Sequence, residues 1–592
     1  MWIHAIAAIM GLAGTIALTE TMSFEMERTA YSNSMGAFLF VVFAFFILRH
    51  VYAHIRLQDK RGVICATVYS AALSFALTAG KQLHTVENFA ISNPLLWIQI
   101  VVLTLYFFGP VLYVLQEISQ RVFPKEETIK VSFAGKKDFL RTWLTIFLCW
   151  IPVFLALYPG AFVYDAQDEY VQVATREFTT HHPLVHVLLL GGSVCFGNKF
   201  MGSYNAGIAL YTLFQMAVLS AVFAYTICVL RSFFSKKICI VITLLYGLFP
   251  LFPMYAVCSA KDTLFGAAFL LLLVQMVKIL KNRKKGYGRG DAALFVLAGA
   301  GMMLLRNNAK MAYGALFVPV CVYAFCQWKK ERFWMRFAVM MLLSFVLYLG
   351  ASQTLSFATD AKKGGSQEIL TVPIQQLTRT YRYSPEAFLE NDREILLSYI
   401  PEDILAVYDA DLSDLVKIHF DNAKFAEDPK EFLGLWLRMF KKKPVTYLNA
   451  WLMTSYGFWY PDTVINVYGG LGQYTFQYED SSYFGFETEP PGERDSKFPW
   501  LEEQYRRLSL ELYQQNVPGI SMLFSPGFLF WVFMACACIT FYKRQYDWLL
   551  PMAAVFLLWA TFLLGPTFLV RYVLILWFAL PLMLVPVFVN QK

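Results

Sequence analysis

Apolar runs about twenty residues long recur from one end of this chain to the other, each long enough to cross a bilayer as a helix. A chain made of such runs cannot bury them all in one water-soluble core. In lipid, only helices and closed barrels satisfy their own backbone hydrogen bonds. Composition agrees: of 592 residues 57% are hydrophobic, 17% aromatic and only 16% charged, whereas soluble domains carry nearer a quarter charged residues. The expectation is an all-α polytopic membrane protein. A net charge of +8 does not imply nucleic acid, because Lys and Arg gather in short clusters between the runs, the pattern that sets membrane orientation.

Spans are expected near 2–18, 34–48, 63–79, 94–116, 142–158, 207–230, 238–257, 264–280, 292–305, 311–327, 337–357, 522–541, 548–565 and 571–590, about fourteen in all. A cytoplasmic N-terminus puts the loops holding Arg49, Arg56, Lys60 and Arg61, then Arg121 to Arg141, Arg231 to Lys237, Lys278 to Arg289, Lys329 to Arg336, and Lys543 with Arg544 all inside. The stretch Leu184 to Phe196 is too short to span, and counting it would turn every later basic loop outward. It reads as a re-entrant or surface-lying element. The first run lacks a basic leader and a small-residue cleavage site, so it reads as a span and not as a signal peptide.

The same parity divides the chain. Residues 1–120 form an N-terminal four-span bundle, and 142–357 form a transmembrane core with a first external loop at 159–206. Residues 358–520 form a mostly helical external domain, and 521–592 a three-span segment that completes the core. Within the external domain, Glu402 to Phe425 shows helical periodicity. The apolar and aromatic stretches Glu431 to Phe440 and Val445 to Tyr460 are expected at the membrane interface. All ten cysteines lie in or beside apolar spans, so no disulfide framework is implied.

The chemistry is expected where polar groups converge on the external face. Asp165, Asp168 and Glu169 follow a Pro159-Gly160 exit from a span, and a carboxylate at a membrane boundary is costly unless it serves a purpose. Asp165 is the candidate catalytic base, while Asp168 and Glu169 read as solvated loop charges. Lys261 and Asp262 cap one pair of spans, Arg306 and Lys310 the next, and Arg571 with Tyr572 opens the last. Cations at one depth beside a carboxylate suit a lipid-linked phosphate donor: the cations hold the phosphate and the carboxylate takes the proton of an attacking hydroxyl. Bland alternatives compete. Lys and Arg at span ends snorkel to headgroups, and Asp262 in a first turn complements a helix dipole. His182 and His186 stand four apart as zinc ligands do, but no Asp, Glu or Cys is placed to complete a set, so no metal site is assigned. His181 and His182 are read as shaping the loop or binding a sugar or phosphate oxygen. No phosphate loop or dinucleotide fingerprint occurs, so neither ATP nor NAD is implied.

The segment Tyr158 to Gln172, followed by His181-His182-Pro183, resembles a multi-span family of Gram-positive bacteria with a P-G-x-x-x-x-D…Q…H-P first external loop. That family is similar to the GT-C superfamily of membrane glycosyltransferases. The resemblance implies a GT-C-like fold in a plasma membrane and a polyprenyl-phosphate-sugar donor. It also implies a cell-wall polymer, glycolipid or capsule acceptor, with Asp165 as base. Gln172, His181, His182, Lys261, Asp262, Arg306, Lys310, Arg379, Arg571 and Tyr572 become substrate contacts by this analogy, Arg379 through the stretch Val372 to Arg379. Asp165 is followed by Ala166, whereas many GT-C enzymes carry adjacent acids there, so no cofactor is assigned and a divalent metal is left open. Other classes share features of the chain. A transporter would be expected to place charged sites at the bilayer midplane and to show matching halves. A polysaccharide polymerase or ligase would use the same cations without Asp165 as base.

Overall fold

The computed structural model describes residues 2–21, 35–121, 135–463, 465, 488–510 and 519–589. Among them it is all-α, with two isolated β-bridges and no strand. Most of the basic loop between Arg121 and Arg141, and parts of the 358–520 region, lie outside the described residues.

Helices α1 (Trp2–Thr19), α2 (Met35–His54), α3 (Lys60–Val86) and α4 (Pro94–Gln120) pack on one another as the N-terminal bundle. Then come α5 (Lys136–Ala156), α6 (Ala166–Thr175), α7 (Leu184–Met201), α8 (Tyr204–Leu230), α9 (Lys236–Leu248), α10 (Leu251–Ala256), α11 (Lys261–Lys281), α12 (Arg289–Leu305), α13 (Ala309–Cys326) and α14 (Arg332–Thr359). Helix α11 is central: 89% of its apolar window is buried, against 28% for α1, so α1 faces lipid where α11 faces protein. The protein is a multi-pass membrane protein.

Among the described residues ten helices are long and apolar enough to cross a membrane, or eleven with one bent pair, against about fourteen expected. Proline accounts for part of the difference, because it removes a backbone donor and crowds the preceding turn. The expected 238–257 span breaks at Pro250 into α9 and α10, and the 571–590 span is a pair, Val570–Phe578 and Leu580–Phe588, bent by 45° with Pro581 at the break. Three other expected spans form helices of 17 residues: α12, Pro526–Tyr542 and Tyr546–Phe562. The opposite correction applies to α7. It continues past Phe196 to Met201 and at 18 residues is long enough to count as a span. Its packing is that of a hairpin with α8, since His186 in its first turn meets Tyr211 while Gly197 near its end meets Gly207.

The insert between α14 and Pro526 has its own core, in which Ile374 and Leu377 meet Tyr399, Phe432, Leu435 and Met439. Glu402 to Phe425 is not one periodic helix. Asp409 Oδ1 accepts from the amides of Asp411 and Leu412 and turns the chain, leaving the short helices Glu402–Ala406, Asp414–Lys417 and Asn422–Glu427. Of the two expected interfacial stretches, Pro429–Lys442 buries one face in the insert, while Ala450, Met453, Phe458 and Tyr460 of the second are buried in the protein core. The ten cysteines are all free.

Candidate functional site

The chain leaves α5 at Leu157 and is led across the bundle end by Gly160. Its φ of +134° is open to glycine, and a Cβ there would lie 2.4 Å from Thr212 Oγ1 and 3.1 Å from Val257 O. Ala161 then pairs with the Val257 to Ser259 segment through Ala161 N to Val257 O and Ser259 N to Ala161 O, both 2.9 Å. This pairing sets the loop after α5 beside the start of α11. Tyr164, at φ +65°, turns the chain so that Asp165 opens α6.

Five charged side chains meet there. Lys261 Nζ donates to Asp165 Oδ2 at 2.6 Å and to His182 Nδ1 at 3.0 Å. Arg571 Nη1 lies 3.5 Å from Asp165 Oδ2 and 3.4 Å from Asp262 Oδ2, and Arg306 pairs with the other Asp262 oxygen. The two arginines are also held from behind: the Arg571 guanidinium sits 4.2 Å from the Tyr164 ring centre, and that of Arg306 4.7 Å from both Phe562 and Tyr572. Arg306 Nε donates to Asn308 Oδ1 at 2.9 Å, and Asn308 in turn donates to Thr561 Oγ1.

Within this set of ion pairs three cations face two carboxylates, a surplus of one positive charge, with the Glu169 carboxylate beside it taken up by His186. Burial would raise the Asp165 carboxyl, but Lys261, then Arg571, outweigh it and hold the group well below the usual carboxylate range. Burial and the neighbouring Lys261 push His182 well below its ordinary value, so its ring is neutral and accepts at Nδ1.

The expected residues divide into two sets. Asp165, His182, Lys261, Asp262, Arg306, Arg571 and Tyr572 come together. Four do not join them. Gln172 Oε1 accepts from Thr179 N at 2.9 Å and closes the loop after α6. His181 is exposed, with Nδ1 4.0 Å from Glu368 and its carbonyl accepting from Asn307. Lys310 is exposed in the first turn of α13 and makes none of the cluster's contacts. Arg379 belongs to the insert, where Nη1 donates to Tyr408 and Nη2 to Glu87 O at the end of α3. A cation near a span end in sequence can serve to dock a domain as readily as to hold a substrate.

Glu169 corrects the reading of a solvated charge. One turn after Asp165 on α6 it points inward, is 1% exposed and forms a short bond with His186 Nδ1. His186 Nε2 meets Tyr211 Oη at 2.6 Å, and Tyr211 donates to Gln215 Oε1 at 3.0 Å. A spacing of four from Asp165 was the available signal. Asp168 is exposed as expected.

Asp165, Glu169 and His182 offer ligand atoms within 4.8 Å of one another, so the carboxylates missing from the histidine pattern do exist. His186 is not with them as a ligand, being bound to Glu169. The set fits a divalent ion poorly, because the Lys261 ammonium already bonds two of its three members and His186 holds the third.

A second unforeseen carboxyl comes from the insert. Glu489 is 4% exposed, and its Oε2 accepts from Gln167 N at 3.3 Å. Burial, then the opposition of Asp165 and Asp168, raises it to about 8. Beyond the cluster, a cavity of about 40 Å³ lies beside His182, whereas an apolar cavity of about 610 Å³ lies between the N-terminal bundle and the C-terminal helices, lined by Leu73, Leu77, Phe528 and Trp531.

Fold and site together define an all-α polytopic membrane protein with a buried, cation-rich polar cluster at one end of its bundle. The chain belongs to a family of unknown function, DUF6020, which matches residues 172–592. Lys261, Asp262, Arg306 and Arg571 fall within the match, and Asp165 and the N-terminal bundle before it. No curated protein and no solved structure matches the chain.

Proposed function

We propose that this protein is a GT-C-like glycosyltransferase of a Gram-positive plasma membrane, with its N-terminus in the cytoplasm and its site on the external face. It would move a sugar from a polyprenyl-phosphate donor to a cell-wall polymer, glycolipid or capsule precursor. The single observation that carries this reading is the surplus of cations around Asp165, with Arg571 shared between Asp165 and Asp262. A surplus charge at a poorly hydrated boundary favours an anionic ligand, and a guanidinium presents the fork that phosphate fits.

The same geometry supplies a switch in basicity. With Lys261 on Asp165, the carboxylate is a weak base. A donor phosphate gives Lys261 and Arg571 a second anion, relieves the stabilisation of ionised Asp165 and raises its proton affinity. The acceptor hydroxyl oxygen then attacks the anomeric carbon and its proton passes to Asp165. The bond from that carbon to the phosphate oxygen breaks, and polyprenyl phosphate leaves with the electron pair, held by Lys261, Arg571 and Arg306. The test is transfer of labelled sugar from a polyprenyl-phosphate donor to envelope glycolipid in vesicles holding the purified protein. Transfer by the wild-type protein and its loss in Asp165→Asn are expected, and transfer undiminished in that variant overturns the reading.

A further inference from the structure

An Asp at the N-cap of a helix ordinarily turns its carboxylate onto the amide of the second or third helical residue, satisfying a donor that has no partner within the helix. Asp165 occupies the N-cap of α6 and makes no such bond, because its carboxylate is on Lys261. The amide it would take, that of Gln167, is bonded by Glu489 instead.

Glu489 reaches this position through a strap of the insert. The Glu489 amide donates to Phe162 O at 2.8 Å, and those of Asp495 and Lys497 donate to Tyr158 O and Leu155 O, both at 2.9 Å. Asn205 at the start of α8 exchanges two bonds with the Glu493 backbone, at 2.8 and 2.9 Å. The strap therefore runs along the end of α5 and the loop after it, and it delivers one buried carboxyl to the start of α6.

We propose that Glu489 is a positioning residue that caps α6 in place of Asp165, leaving the Asp165 carboxylate free for Lys261 and for chemistry. The catalytic group then lies in the first loop while the residue that releases it lies more than three hundred residues away, so the site is complete only with the strap docked. The consequence for turnover rests on the proposed function, whereas the capping claim does not.

Two measurements on the full-length protein separate these. The first is amide hydrogen exchange over residues 164–171, compared in the wild type, Glu489→Ala, Asp165→Ala and the double variant. Two carboxyl groups able to cap one amide make the singles redundant: Gln167 stays protected in each and loses protection in the double variant. Loss of protection in Glu489→Ala alone means Asp165 does not take the cap, and overturns the proposal.

The second is steady-state transfer. In Glu489→Ala, Asp165 turns to the helix, so kcat falls roughly ten- to hundredfold while the donor KM holds or drops, because Lys261 and Arg571 are less engaged. Glu489→Gln keeps an accepting oxygen and recovers most of kcat. Wild-type kcat in Glu489→Ala overturns the proposal, as does an equal loss in Glu489→Gln. Absence of transfer in the wild type removes the glycosyltransferase reading and leaves capping to be decided by exchange.

Discussion

Lys261 Nζ stands 2.6 Å from Asp165 Oδ2 across a sequence separation of 96 residues, and this contact fixes the resting state of the site. It joins the loop after α5 to the first turn of α11, the most enclosed of the long helices, so Asp165 and its counter-cation are set by the core.

Asp165→Asn keeps the shape of the side chain and removes its basicity. Sugar transfer is expected to fall by roughly a hundredfold or more with donor binding nearly intact. Asp168→Asn, at an exposed position on the next turn, is expected to change turnover little. Single-turnover kinetics on the two variants distinguish a base from a loop charge.

Arg571→Ala is expected to raise the donor KM and lower turnover, since a charge-assisted contact is worth about 1.5–3 kcal/mol. The change also leaves Asp262 with Arg306 as its remaining cation of the pair. Arg571→Lys keeps the charge without the fork and recovers only part of the loss. Donor titrations over both variants check this, with thermal unfolding run alongside to separate binding from folding.

Orientation is tested by cysteine labelling after the exposed Cys326 is changed to Ser. Lys363→Cys and Asp495→Cys, both exposed on the insert, should react with an impermeant maleimide from outside the cell, and Lys285→Cys in the turn between α11 and α12 should not. The reverse pattern would place the site on the cytoplasmic face.

Glu169 is the structural counterpart of Asp165. Weakening one partner of a buried hydrogen-bonded pair leaves the other poorly satisfied, so Glu169→Gln is expected to cost about 1–3 kcal/mol of stability. Asp168→Asn is expected to stay within about 0.5 kcal/mol. Denaturation in detergent reads both.

What the sequence made legible follows the range of each signal. Apolar length marks a span locally, so the long helices were found except α7, whose apolar stretch reads as too short but whose helix runs on to Met201. The broken spans were overcounted because hydropathy does not register a Pro250 or Pro581 kink. The cations Lys261, Arg306 and Arg571 stood out because the loops on that face are otherwise poor in Lys and Arg, and they share a cluster with Asp165. Arg379, implied by the family resemblance of the stretch Val372 to Arg379, went to the insert, since a sequence motif does not say which partner a cation meets. Glu489 had no local signal: its meaning comes from a strap that docks on a loop remote in sequence, and only the fold brings its carboxyl to Gln167.

That carboxyl makes a last prediction, on pH. Burial and the nearby Asp165 and Asp168 raise Glu489 from an ordinary 4.5 to about 8. The folded protein therefore holds this proton more tightly than the unfolded chain does. Its contribution to stability is fully present below about 4.5 and is lost as pH rises through about 8, because the unfolded chain ionises first. In Glu489→Gln the group no longer titrates, so its part of the slope disappears. Unfolding temperatures taken at intervals between pH 5 and pH 9 should decline more steeply in the wild type than in Glu489→Gln. Parallel curves would mean that Glu489 ionises as freely in the folded protein as in the unfolded chain, and that its carboxyl is not enclosed beside Asp165.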